Sequence, residues 1–306
     1  MNNKQLKRDI ESTLKSMDTE EFIDLHFYRP VGYRWALFFN RLGVTPNTVT
    51  VISIVIGIAA GICFYFPGLK VNLFGMLLLV WANSYDSADG QLARMTGRKT
   101  PLGRILDGAS GELWFIAIYA AISFRLMPLW GCWIWLLAAV AGFCHSKQAA
   151  MADYYRNIHL RFLKGESGSE LSDSAVLREN YRKRTWKRDG VLKPVEYFYL
   201  QYTVGQEAWA PHFRRMMGLL REKYRGDIPE SFRAAFRLKS LPLMKYANML
   251  SFNTRVMALF IALFIDIPWL YFVFELTVLN GMLVYLVFTH ERFCAAFGKQ
   301  LASCEP

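Results

Sequence analysis

The chain has 306 residues, 53% of them hydrophobic and 15% aromatic, with a formal charge of +11. That apolar content excludes a disordered tail, and its combination with a strong basic excess excludes an ordinary soluble domain. An integral membrane protein fits, with its cations facing anionic lipid headgroups rather than nucleic acid.

In chain order, residues 1–46 read as a cytoplasmic and interfacial segment. Leu6, Ile10, Leu14 and Met17 form an amphipathic stripe on an otherwise charged stretch. Residues 27–42 mix aromatics with arginines, the pattern of a helix lying in the membrane interface. No cleavable leader is expected, because the first twenty residues are charged and lack an apolar core. Gly43 to Asn47 break that helix, Thr45 serves as N-cap, and Pro46 opens the next helix.

An apolar helix of ~20 residues crosses the hydrocarbon core. Six candidates follow, at 47–69, 71–93, 103–124, 128–150, 247–266 and 268–289. Gly57 and Gly61 on the first allow a neighbouring helix close approach. Cations are sparse between the first and second (Lys70) and between the third and fourth (Arg125). They cluster before the first (Arg29, Arg34, Arg41) and between the second and third (Arg94, Arg98, Lys99, Arg104). The positive-inside rule places both termini and the second-to-third connection in the cytoplasm. The five cysteines form no CxxC pair and read as small packing residues.

Residues 47–156 thus hold four spans. Residues 157–245 carry 18 Lys and Arg against 10 Asp and Glu and contain no run able to span. They read as a basic cytoplasmic insertion of short helices with breaks near Gly190, Pro194, Pro211, Gly226 and Pro242. Residues 246–306 return to the membrane with two more spans and a tail. Glu275, deep in the last span, reads as a hydrogen-bonded structural carboxyl. The expected fold class is all-α and polytopic, with six transmembrane helices, an N-terminal interfacial helix and a helical insertion between the fourth and fifth.

The chemistry concentrates between residues 86 and 112. Asp86 and Asp89 stand three apart, on one helical face. Gly97 and Pro101 mark a turn that brings the chain back antiparallel, so that Asp107 comes alongside them. Three carboxylates so close repel one another, and a divalent cation relieves that; hard oxygen ligands suit Mg²⁺ or Mn²⁺. Gly90 and Ala93 leave the helix face uncrowded. At the cytoplasmic end of the fourth and fifth spans, Lys147, Arg156 and Arg255 could hold an anionic substrate group.

The series Asp86, Asp89, Gly90, Ala93, Arg94, Gly103 and Asp107, at these spacings, resembles the signature of the CDP-alcohol phosphotransferases. The resemblance covers residues 28–156 and 246–292. It implies a membrane enzyme that moves a phosphoalcohol group from a CDP-alcohol, such as CDP-diacylglycerol, to an alcohol acceptor and releases CMP in phospholipid biosynthesis. It further implies two metal ions on Asp86, Asp89 and Asp107, a nucleotide approaching over Gly90, Ala93 and Gly103 with Arg94 beside it, and a homodimer. A phosphorylated polyol, an inositol or glycerol phosphate, would suit Lys147, Arg156 and Arg255.

The family pattern has a fourth aspartate four residues after Asp107, as general base. This chain has Gly111 there and Glu112 next. On a regular helix Glu112 lies about 140° around from Asp107. A π-bulge would bring it into line, so Glu112 is expected to serve as base and further metal ligand through such a distortion. The competing reading is a catalytically inactive relative that binds nucleotide or lipid as a membrane scaffold. An intramembrane prenyltransferase, which also sets aspartates and Mg²⁺ on a diphosphate, would space its acidic residues more widely and has no call for Gly90, Ala93 and Gly103.

Overall fold

The structure is a computed structural model and describes residues 16–98, 100–190, 192–225 and 227–303. The stripe expected over residues 1–17 lies, except for Met17, outside them. Among the described residues the chain is helical throughout, with no strand. A π turn at Asp24–Tyr28 leads into α1 (Arg29–Arg41), followed by α2 (Pro46–Cys63), α3 (Leu69–Thr96), α4 (Pro101–Trp130) and α5 (Trp133–Lys164). Then come α6 (Ser174–Lys183), α7 (Trp186–Asp189), α8 (Leu192–Ala208), α9 (Pro211–Tyr224) and α10 (Glu230–Met249). The chain closes with α11 (Phe252–Phe264), α12 (Trp269–Phe274), a second π turn at Glu275–Leu279, and α13 (Asn280–Ser303).

Contacts group these elements into two units. The first takes the chain as far as Ser146 together with Phe252–Val278; the second takes Lys147–Ser251 and the chain from Leu279 onward.

In the first unit the local signals set the helix limits. Thr45 caps α2 by accepting from the Thr48 N–H at 3.3 Å, and Pro46 follows at the first turn. Gly97 ends α3 in the left-handed region at φ +67°, and Thr100 caps α4 through the Gly103 N–H at 2.9 Å. The first π turn sits just before Pro30. Proline has no N–H and its ring crowds the carbonyl four residues back, a conflict that a wider turn relieves. α1 docks on α3, where Ala36 and Phe39 pack with Tyr85, Ala88 and Leu92. The larger core joins Trp114, Ile118 and Ile122 of α4 to Ala60 of α2, Phe64 just after it, Leu79 of α3 and Leu259 of α11.

Gly57 of α2 faces the Trp114 indole, and a Cβ there would fall inside the ring's contact distance. Trp114 is 1% exposed and cannot move aside. Gly57→Ala therefore sets a helix-propensity gain of about 1 kcal/mol against an overpacking cost of about 1–3 kcal/mol. The clash is with a whole ring, so the expected result is a lower melting temperature in detergent; a raised one would mean that α2 and α4 do not meet here.

Four stretches among the described residues are long and apolar enough to cross a membrane: Pro46–Cys63, Leu106–Trp130, Glu230–Phe264 and Trp269–Ser303. The spans expected at 71–93 and 128–150 fall on α3 and α5, which do not reach that measure. Lys70, Asn72, Asn83 and Asp86 dilute the apolar stretch of α3, and α5 carries His145, Lys147, Asp153 and Arg156 from its middle onward.

In the second unit, α9 and α10 pack with α13, so that residues 157–245 do not stand alone. Glu291 of α13 accepts the first N–H groups of α9, from His212 at 2.6 Å and Phe213 at 3.4 Å. A helix N-terminus is thus capped by a carboxylate remote in sequence. Phe162 stacks on Phe236 with centroids 3.8 Å apart, and Arg233 bonds the Phe162 and Leu163 carbonyls near the end of α5. Two expected breaks are absent: α10 runs through Pro242, and Pro194 lies in the first turn of α8, where a missing N–H costs little.

Candidate active site

The turn between α3 and α4 returns the chain so that Asp86, Asp89 and Asp107 each offer a carboxylate oxygen within 4.8 Å of the others. They grade outward: Asp89 is 3% exposed, Asp86 half-buried, Asp107 exposed. The Ser110 hydroxyl lies 2.7 Å from Asp86 Oδ1 and 2.8 Å from the Asp107 carbonyl, tying α4 to α3. Asp89 has the Thr50 hydroxyl and the Gly90 N–H beside it, yet its Oδ2 is buried with no hydrogen-bond partner among the described residues. A buried carboxylate oxygen left unpaired next to two other carboxylates is costly. Hard oxygen donors in this arrangement fit a divalent cation such as Mg²⁺ or Mn²⁺.

Two of the small residues have occupied surroundings. A Cβ on Gly90 would lie 3.4 Å from the Arg94 guanidinium, so Arg94 folds back one turn across the gap that Gly90 opens. A Cβ on Gly103 would lie 2.6 Å from Asn47 Oδ1. Asn47, in the first turn of α2, also bonds the Thr100 hydroxyl at 3.4 Å. Gly103 therefore admits the Asn47 carboxamide against the start of α4. Ala93 is half-buried on the same helix.

α4 is a regular α-helix from Pro101 to Trp130, with no π segment. This corrects the bulge expected near Glu112: the π turns fall at Asp24–Tyr28 and Glu275–Leu279 instead. Without it Glu112 stays turned from Asp107, outside the group of three carboxylates, and lies in the field of His145. The metal-ligand geometry expected for Glu112 is absent.

Arg255 also differs from its expected place. It is 1% exposed, with Nη1 at 2.6 Å from Glu275 Oε1 and 2.8 Å from His145 Nδ1. Tyr119 and Tyr271 bond the same carboxylate. An arginine this enclosed is paired internally rather than offered to a substrate. Glu275 is the hydrogen-bonded carboxyl that its setting called for. Lys147 and Arg156 belong to the second unit, where Arg156 bonds Asn248 Oδ1 at 3.0 Å and the Ala247 carbonyl at 3.4 Å.

Sequence reasoning passed over Arg29. Its carbonyl accepts from Gln91 Nε2 of α3 at 3.0 Å, and Tyr28 is hydrogen-bonded to Asn83. Gly32 is set so close to α3 that a Cβ would lie 2.8 Å from Ser87 Oγ. These contacts lock the register of α1 against the motif helix. Glu20 then grips the Arg29 guanidinium at 2.9 and 3.0 Å, and Arg29 stands in the field of both Asp86 and Arg94. The signal available was Arg29-Pro30, an arginine at the start of a segment read only as interfacial.

Residues 43–157 match the profile of the family described as CDP-alcohol phosphatidyltransferase. Over that stretch the chain is similar to the CDP-alcohol phosphatidyltransferases. The matched stretch includes the three aspartates, Gly90, Ala93, Arg94, Gly103, Glu112, Lys147 and Arg156, and leaves Arg29 and Arg255 outside.

The chain is 32% identical over 99 residues to a bifunctional IPC transferase and DIPP synthase of Aquifex aeolicus, a stretch that is 32% of this chain and 22% of that protein. It is 35% identical over 89 residues to an archaetidylinositol phosphate synthase of Pyrococcus horikoshii, 29% of this chain and 46% of that protein. It is 33% identical over 104 residues to cholinephosphotransferase 1 of Mus musculus, 31% of this chain and 26% of that protein. The aligned stretch spans less than half of each of these relatives. Four stretches apolar enough to span, together with the match to a family of membrane enzymes, support an integral membrane protein.

Proposed function

We propose that the chain is a membrane phosphotransferase that moves a phosphoalcohol group, phosphatidyl from a donor such as CDP-diacylglycerol, to an alcohol acceptor and releases CMP. The observation that carries this reading is the group of Asp86, Asp89 and Asp107, with the unpaired Asp89 Oδ2 inside it. These three residues would hold Mg²⁺ or Mn²⁺, two ions by the family pattern. Bound there, divalent ions neutralise a diphosphate and stabilise CMP as leaving group.

The chain's own residues supply the rest. Arg94, lying across Gly90, moves aside or pairs with the nucleotide phosphates as the donor enters. Arg29, held by Glu20 with only part of its five-donor fork engaged, meets the diphosphate from the α1 side. Glu112 takes the proton of the attacking hydroxyl from outside the metal group. Lys147 and Arg156 suit a phosphorylated polyol, and the Pyrococcus relative is named for a product of that kind. Six spans with the aspartates and both termini in the cytoplasm, residues 157–245 as a cytoplasmic insertion, and a homodimer complete the reading.

The direct test is CMP release from CDP-diacylglycerol by purified protein with Mn²⁺, across a panel of phosphorylated and plain alcohols. Gly111, where the family pattern has a carboxylate, also favours an inactive scaffold. Binding of nucleotide with no CMP released for any acceptor would establish that reading instead.

Two variants refine the site. Arg29→Gln removes charge-assisted hydrogen bonds of about 1.5–3 kcal/mol, and is expected to raise the donor KM about 10- to 100-fold. An unchanged donor KM and salt dependence would remove Arg29 from the site. Glu112→Gln is expected to cut kcat by about 10²–10⁴-fold. A Cβ at Gly111 meets nothing within 4 Å, so Gly111→Asp has room. Placed in the Glu112→Gln background, it is expected to restore turnover; near-normal turnover of Glu112→Gln alone would mean another group takes the proton.

A further inference from the structure

The second unit holds an open cleft of about 560 Å³ that the transferase reading leaves without a role. That volume lies in the range of small-molecule sites. Four arginines border it from two helices: Arg161 near the end of α5, and Arg214, Arg215 and Arg221 on α9. Arg214, Gly218 and Arg221 follow at intervals of four and three and so share one face of α9. Gly218 borders the cleft between Arg214 and Arg221 in sequence, and a Cβ there would meet nothing within 4 Å, so the space beside it is open. The floor is apolar, formed by Phe213 and Met217, 3% and 7% exposed.

Three of them are steadied by a carboxylate: Arg161 by Glu166 at 2.9 Å, Arg221 by Asp173 at 2.8 Å and Arg214 by Glu207 at 3.4 Å. Two of these carboxylates already serve other donors. Glu207 accepts from the Ser174 N–H at 2.8 Å and its hydroxyl at 2.6 Å, and Asp173 caps α6 through the Ala175 N–H at 2.9 Å. A carboxylate shared in this way neutralises its arginine less completely. It also holds the guanidinium in one orientation with further N–H donors to offer, which lowers the ordering cost of a ligand. Oriented cations at the rim above an apolar floor call for a ligand with an anionic end and a flat or apolar body. A lipid surface, being flat, would not use the recess.

We propose that this cleft binds a nucleotide-sized phosphate ester, with the phosphate among Arg161, Arg214 and Arg221 and the base over Phe213 and Met217. None of the three aspartates lines the cleft, and the proposal stands whether or not the chain is a transferase.

The test is calorimetric titration of the full-length protein in detergent with EDTA, so that no divalent ion occupies the aspartate group, using AMP, CMP and inorganic phosphate as probes. Saturable binding of at least one nucleotide, tighter than phosphate, is expected. Gly218→Leu, which fills the cleft without changing charge, and Arg221→Gln should each weaken it by about 10-fold or more, in line with the loss of one charge-assisted contact. Melting curves of both variants establish that they are folded. No nucleotide binding at millimolar concentration, phosphate bound as tightly as nucleotide, or binding unaffected by either folded variant would overturn the proposal. So would anionic liposomes bound in an Arg221-dependent way with no nucleotide uptake.

Discussion

Asp89→Asn is expected to lower CMP release by about 10²–10³-fold or more, the scale set by loss of one preorganised charge-stabilising group, while raising the melting temperature of the metal-free protein. The two effects share one cause. Asp89 is buried with one oxygen unpaired, and its carboxylate lies within 4.8 Å of those of Asp86 and Asp107. At that separation two like charges cost about 3 kcal/mol with an effective dielectric near 20. Asparagine keeps the shape and removes the repulsion, so the apo protein gains stability. It also removes a hard anionic ligand, so Mn²⁺ no longer stabilises the fold as it does in the parent. Melting curves with EDTA and with Mn²⁺ separate the two effects. A variant that melts lower in EDTA and still gains as much from Mn²⁺ as the parent would show that Asp89 holds no metal.

Glu275→Ala is expected to cost about 3–5 kcal/mol, the range for breaking one side of a buried ion pair. Glu275 is fully buried and joins residues of four helical segments: Tyr119 of α4, His145 of α5, Arg255 of α11 and Tyr271 of α12. Its removal leaves the Arg255 guanidinium enclosed without its carboxylate and two tyrosine hydroxyls without their acceptor. The double variant Glu275→Leu with Arg255→Met removes both charges and is expected to recover much of the loss, because a matched apolar pair avoids the desolvation cost. Thermal unfolding in detergent measures both. Equal destabilisation by the single and double variants would mean that packing volume, and not the stranded charge, sets the cost. The choice matters for function: were Arg255 a substrate cation, its loss would alter acceptor KM before it altered stability.

These cases mark how far the sequence carries. Asp86, Asp89 and Asp107 are legible because two lie on one helical face and the third follows a Gly and Pro turn, both of which are local properties of the chain. The caps at Thr45 and Thr100 and the stop at Gly97 are local in the same sense. The sequence by itself therefore determined an all-helical membrane protein and an acidic site centred on one turn. Helical period names a face but not what will be pressed against it, and so the neighbours of that site had to wait for the fold. Arg94 lies across Gly90, Asn47 sits against Gly103, and Arg29 is brought to the motif by the fit of Gly32 to Ser87. Arg255 shows the physical reason most clearly. A cation at a helix end has the same sequence signature whether it serves a substrate or a buried carboxylate twenty residues away, and only tertiary packing, by enclosing it with Glu275, decided between them.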